Sequence, residues 1–260
     1  MRIALGLEYD GTGFSGWQRQ AHARSVQQAL ELALSRVADE PVSVHCAGRT
    51  DAGVHATHQV VHFDTAATRP ESAWIRGVNS NLPQDVGVLW MREVAGDFHA
   101  RFTARARRYR FVLRSSPVRP VLDRHRVSWT WKRLALDPMR RAAAGLLGEH
   151  DFTSFRAVAC QAKHPVRTLY RLDVRGRGDG LYYFDVEANA FLHHMVRNLV
   201  GVLIAIGAGD RDPQWAAAVL AARDRTRAGV TAPGEGLYLV GVTYPGHDGL
   251  PALGRLPVFA

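Results

Sequence analysis

Residues 42–63 read VSVHCAGRTDAGVHATHQVVHF. Two apolar stretches, 42–47 and 59–63, flank a segment punctuated by Gly48 and Gly53. Runs rich in Val, Phe and other strand-favouring residues, bounded by glycine, mark strands, and the glycines mark the turn between them. This predicts a strand, a tight turn and a second strand. Toward the N-terminus, Ser25 followed by Gln28 fits a helix-capping box. Val26, Leu30, Ala33, Leu34 and Val37 then recur at helical spacing. Before them Ile3, Leu5, Leu7 and Tyr9 alternate as in a strand. Toward the C-terminus, 70–78 predicts a short helix and 86–94 another strand. The order is β-α-β-β-α-β.

The second half repeats this order loosely. Strands are expected at 107–113 and 236–244, and a hairpin of 166–175 with 181–188 around Gly176 to Gly180. Helices are expected at 138–147, capped by Asp137, and at 192–206 and 213–222. The repetition suggests an internal duplication. The fold class expected is α+β: two β-α-β-β-α-β-like halves forming a mainly antiparallel sheet, with helices on one side and a basic central cleft. The domain boundary is placed between 1–105 and 106–260.

The 260 residues suffice for one large domain or two subdomains with a real core. No apolar run approaches the length of a membrane span, and the start lacks the pattern of a secretory leader, so a cytoplasmic location is expected. Cys46 and Cys160, the only cysteines, give neither a disulfide framework nor a paired zinc-ligand motif. The formal net charge is +9, and of 33 basic residues only Lys132 and Lys163 are lysine. Arginine forks onto phosphate and stacks on bases, so a polyanionic partner is implied.

Three patterns compete as sites. Gly11-Thr-Gly-Phe-Ser-Gly16 fits a dinucleotide-binding fingerprint, but that site needs a helix starting at the third glycine. The helix here is expected to begin near Ser25, so the glycines are read as allowing a close backbone approach. His55, His58, His62 and the pair His193-His194 suggest a metal. However, His58 and His62 fall at the edge of a predicted strand and are not expected to share a face, and no acidic residue is in register with them. No metal is expected. The third pattern is GRTDAGVHA, 48–56, with Asp51 in a tight turn and Arg49 two residues away. Taken alone, an aspartate there is an ordinary turn residue.

The whole string changes that reading. GRTDAGVHA closely resembles the signature of the TruA family of tRNA pseudouridine synthases. YDGTGFSGWQRQ at 9–20, FHARFTARARRYRF at 98–111, NAFLHHMVRN at 189–198 and APGEGLYL at 232–239 resemble further blocks of that family, in the same order. The resemblance implies a cytosolic homodimer that isomerises uridine in the anticodon stem-loop of tRNA, at roughly positions 38 to 40, with no metal or organic cofactor. It implies Asp51 as the catalytic aspartate, Tyr109 as the aromatic residue that packs on the target base, and Arg49 and Arg197 as active-site arginines. Residues 247–260 match nothing in the family's pattern.

The chemistry fits the residues. A base that reacts must leave the stack, and Tyr109 offers it a flat surface. Arg101, Arg105, Arg107, Arg108 and Arg110 are read as phosphate contacts, and their density is read as evidence against a core position for Tyr109. In the helix expected from residue 192, Arg197, His193 and Asn198 fall beside the apolar stripe and face the cleft. Two other readings remain: a non-catalytic RNA-binding protein, for which a carboxylate beside RNA would be a liability, and a nucleotide-dependent oxidoreductase.

Overall fold

The structure, a computed structural model, describes residues 1–247 and 249–259. It is mixed α/β, with ten strands that pair mainly antiparallel and five helices. Among the described residues no helix is long and apolar enough to cross a membrane. The chain forms two compact units.

The first unit comprises Met1–Arg105 and Tyr238–Pro257. Strand β1 (Arg2–Tyr9) lies between β3 (His55–Asp64) and β4 (Val86–Val94), antiparallel to both. Helix α1 (Val26–Ala38) begins where the capping box predicts, and the Ser25 hydroxyl accepts from the Gln28 amide. A π-helical turn (Ala73–Gly77) falls within the 70–78 expected to be helical and runs into α2 (Val78–Asn81), which continues past that range. Ile3, Leu5, Leu7, Leu30, Leu34, Phe63 and Trp74 fill the core. The order β-α-β-β-α-β holds, but the second strand is short. Only β2 (His45–Cys46) joins the ladder, opposite Val61 and His62 of β3. The amides just before it are taken by helix side chains: Val42 donates to the Ser35 hydroxyl and Val44 to the Glu31 carboxylate. A backbone donor satisfied by a side chain has no need of a strand partner.

Strand β10 (Leu237–Thr243) runs parallel to β3, with Tyr238 and Leu239 opposite His55 and Ala56. Residues 252–254, in the stretch unmatched in the sequence, pair back along β10. Leu253 bridges Gly241, Gly254 donates to the Val240 carbonyl and Val242 to that of Ala252.

The second unit comprises Ala106–Leu237 and a short segment from Val258. Its strands pair in the order β5 (Ala106–Ser115), β9 (Leu181–Ala188), β8 (Val166–Gly176) and β7 (Gly148–Asp151), all antiparallel, while β6 (Ser128–Thr130) runs parallel to β5. The short strands β6 and β7 carry too little periodicity to be read from sequence. Helices α3 (Leu136–Ala144), α4 (Met195–Gly207) and α5 (Trp215–Ala222) complete the unit. Asp137 is not the cap of α3: the cap is Ala135, and Asp137 sits in the first turn, where a carboxylate still favours the helix dipole. Helix α4 starts at Met195 rather than 192, because His194 takes a left-handed conformation (φ 62°) that no helix continues through. Phe111, Met139, Phe152, Phe155, Phe184, Leu199 and Leu203 form this unit's core.

Candidate active site

Asp51 is half-buried in the connection between β2 and β3, and Arg49 beside it is exposed. The connection has no regular secondary structure, yet it is fastened along its length. At its start the Ala47 amide donates to the Val60 carbonyl (2.8 Å). The Gln59 side-chain amide then pairs with Gly48: its Nε2 donates to the Gly48 carbonyl (2.6 Å), and its Oε1 accepts from the Gly48 amide (3.4 Å). Thr50 is held twice. Its carbonyl accepts from the Trp17 amide (2.9 Å), and its hydroxyl lies 2.8 Å from that of Tyr9. Past Asp51, the Val54 amide closes a turn on the Asp51 carbonyl (3.2 Å), and Gly53 donates to the Phe14 carbonyl (3.4 Å).

The segment that resembled a dinucleotide fingerprint is the other side of this contact. Gly11–Gly13 forms a single helical turn capped by Asp10, and the chain then passes Gly16 in extended and turn conformations. The next helix starts at Val26, so no helix N-terminus faces a pyrophosphate. A side chain at Gly11 would put Cβ 2.1 Å from the Val54 carbonyl oxygen. At Gly16, where φ is +98°, Cβ would lie 2.8 Å from the Thr50 carbonyl oxygen and 3.2 Å from the Asp51 carbonyl carbon. These glycines let two backbone segments touch, as the sequence reading expected of them.

The histidines of the first unit also have defined surroundings. His55 is buried at the loop's exit, accepting from the Gly11 amide (3.0 Å), 3.2 Å from Asp10, and stacked on Tyr238 with centroids 4.6 Å apart. Contrary to the sequence reading, His58 and His62 share a face, since both lie within β3 and a strand repeats every two residues. Their partners differ. His58 Nε2 lies 2.8 Å from the Pro251 carbonyl, whereas His62 stacks on His45, meets His99 edge-on and accepts from the Ala100 amide. Burial, reinforced by the charges of His99 and His45, pushes the pKa of His62 down to about 4. Burial also raises the Cys46 thiol to about 12, opposed by the charge of Arg49.

In the second unit Tyr109 sits on β5 opposite Val186, 7% exposed, with the Phe191 ring edge-on at 5.1 Å. The argument from arginine density fails here, because two of the flanking arginines are themselves buried. Arg107 donates to the Asn189 carbonyl. Arg110 forks onto Asp185, its cross-strand neighbour, with both bonds at 2.9 Å. Arg175 also bonds Asp185, which is wholly buried. Burial would raise the Asp185 pKa, but the hydrogen bond and charge of Arg110, with Arg175, hold it below the usual carboxylate value. Arg101 and Arg105 are exposed.

Arg197 is half-buried in the first turns of α4, and its Nε donates to the Ala232 carbonyl (2.7 Å). Asn198 does not face outward as the helix pattern suggested. It is fully buried, donating to the Phe155 carbonyl and accepting from Arg225 and Thr231. Helix α4 is buried on most of its sides, and Met195, Leu199 and Val202 around Asn198 are buried with it. The residues that the sequence reading overlooked are Tyr9, Thr50 and Gln59. The signal available for Gln59 was a lone amide at the start of an apolar strand run.

Comparison with known proteins adds an independent line. A family model described as tRNA pseudouridine synthase matches residues 7–103 and 142–245, which include Arg49, Asp51 and Arg197, while Tyr109 falls between the two stretches. The chain is 55% identical over 258 residues to tRNA pseudouridine synthase A of Klebsiella pneumoniae (strain 342), covering 99% of this chain and 95% of the relative. It is 57% identical over 255 residues to the protein of that name from Nitrosococcus oceani, covering 98% of each. With that of Shewanella sp. (strain MR-4) the identity is 56% over 260 residues, covering 100% of this chain and 99% of the relative.

Proposed function

Because this chain belongs to the tRNA pseudouridine synthase family, an isomerase family that acts on tRNA, we propose that it converts uridine to pseudouridine in the anticodon stem-loop, at roughly positions 38 to 40, with Asp51 as the essential carboxylate. The observation that carries this reading is the half-buried Asp51 on a connection fastened on both sides of it. A turn residue with no task beyond the turn does not call for such bracing, whereas a reacting group does.

The reaction breaks the N1–C1′ bond of uridine, turns the freed uracil, joins C5 to C1′, and transfers a proton from C5 to solvent while N1 gains one. Asp51 acts ionised, by adding to C1′ or C6 or by stabilising positive charge on the sugar. Tyr109 packs on the flipped base, and Arg49 and Arg197 bind substrate and keep negative charge in place. Because Tyr109 is only 7% exposed, packing on a base requires that its ring be uncovered when RNA binds. The enzyme works as a cytoplasmic homodimer without metal or organic cofactor.

The test is pseudouridine mapping on an unmodified tRNA transcript, with no cofactor added. Wild type converts uridines of the anticodon arm. Asp51→Asn abolishes conversion and keeps tRNA affinity within about threefold, because binding rests on phosphate contacts. Conversion by Asp51→Asn, or conversion confined to another arm of the tRNA, would overturn the corresponding part of the reading.

A further inference from the structure

Beneath the Asp51 connection lie three buried polar side chains on three separate segments: Tyr9 at the end of β1, Thr50 in the connection itself, and Gln59 in β3, at 4%, 7% and 0% exposure. Their partners include one another and the backbone of the connection. Tyr9 and Thr50 meet hydroxyl to hydroxyl at 2.8 Å, Gln59 Nε2 lies 3.5 Å from the Tyr9 hydroxyl, and Gln59 pairs with both backbone groups of Gly48. The amide of Gln59 thus supplies an extra rung where the β2–β3 ladder stops at Cys46 opposite Val61.

Burying such groups is unfavourable unless each finds a partner, and apolar residues of the same size would fill the space without that requirement. What the polar set adds is direction. It fixes the backbone at 48 and 50, immediately before the carboxylate, relative to two strands of the sheet. Backbone bonds from Trp17 and Phe14 hold the same connection from its other side.

We infer that Tyr9, Thr50 and Gln59 are positioning residues for Asp51, forming a hydroxyl–hydroxyl–amide joint that sets where the carboxylate stands against the reacting sugar. This rests on the reading of Asp51 as the essential carboxylate. None of the three needs to touch RNA. Their effect is transmitted through the loop backbone and is confined to the chemical step. Two hydroxyls that act as one joint also lose their effect together, so removing the second after the first adds little.

The experiment uses the full-length chain with Thr50→Val, Thr50→Ser, Tyr9→Phe and the Tyr9→Phe/Thr50→Val double variant, beside Asp51→Asn. Single-turnover rate on tRNA, tRNA dissociation constant and thermal midpoint are measured for each. Thr50→Val and Tyr9→Phe are expected to slow the chemical step by about ten- to a hundredfold, the range over which a misplaced group acts. Their tRNA affinity stays within about twofold, since no phosphate contact is lost. Thr50→Ser, which keeps the hydroxyl, restores the rate, and the double variant is no slower than the slower single variant. Should Thr50→Val fail to fold, Tyr9→Phe, which keeps the ring packing, carries the test. If Thr50→Val and Tyr9→Phe turn over at the wild-type rate while Asp51→Asn is inactive, the joint is overturned and the carboxylate reading stands. An active Asp51→Asn overturns both. A rate that falls only in proportion to folded protein, with Thr50→Ser no better than Thr50→Val, makes the three residues structural and overturns the inference.

Discussion

At Gly16 the backbone carries a φ of +98° and passes so close to the Asp51 connection that a methyl group would press on the Thr50 carbonyl oxygen. Both constraints act on Gly16→Ala. The conformation alone costs about 1–3 kcal/mol in a residue with a side chain. The contact with backbone atoms must also be relieved by moving the loop. Gly16→Ala is therefore expected to lower stability in urea unfolding by at least about 1 kcal/mol and to depress turnover beyond the loss of folded protein. Unchanged unfolding and turnover would show that the two segments separate freely. At this scale the sequence was informative about identity and poor about partnership. The close-approach glycines were legible because glycine in such a segment has few other uses, whereas Asp51 taken alone read as an ordinary turn residue and stood out only within the whole 48–56 string. Asn198, Arg107 and Arg110 were misread because a polar side chain declares its charge in the sequence but not the carbonyl or carboxylate it meets. Asp185 was the missing clue for Arg110, a carboxylate within an otherwise apolar strand core that needs a cation opposite it.

Elements were legible wherever periodicity ran long. Strand β4 and strand β9 fall where alternation placed them, and α1 starts at its capping box. Boundaries failed where something non-local intervened: side chains of α1 took the amides before β2, and a left-handed His194 delayed α4. Strand β3 carries a consequence for pH. The pKa of His62 is about 4 in the folded chain, against an ordinary value of 6.5, so as pH falls the unfolded chain takes up the proton first. Stability is then independent of this group above pH 6.5 and is lost progressively between 6.5 and about 4. His62→Phe removes the titrating group from its cluster with His45 and His99. The thermal midpoint of wild type is expected to fall more steeply across that window than that of His62→Phe, and parallel curves would contradict it.

For the molecule as a whole, composition indicated a basic, arginine-rich partner of a polyanion, and the two-part α/β organisation was visible as a repeated order of elements. The return of Tyr238–Pro257 to the first unit was not, since no local pattern reports which half a strand rejoins. The proposed homodimer predicts a light-scattering mass of about twice 28.7 kDa at working concentrations; a value near the single-chain mass would remove it. The placement of β10 has a bearing on synthesis. Strand β3 begins immediately after the Asp51 loop, and its first residues pair with Tyr238 and Leu239, which come far later in the sequence. A ribosome makes Asp51 early and this neighbouring strand late. A nascent polypeptide therefore displays the proposed catalytic aspartate on an unfinished support. On the proposed role of Asp51, a polypeptide released before Tyr238 would carry the aspartate but not the strand that pairs with the exit of its loop.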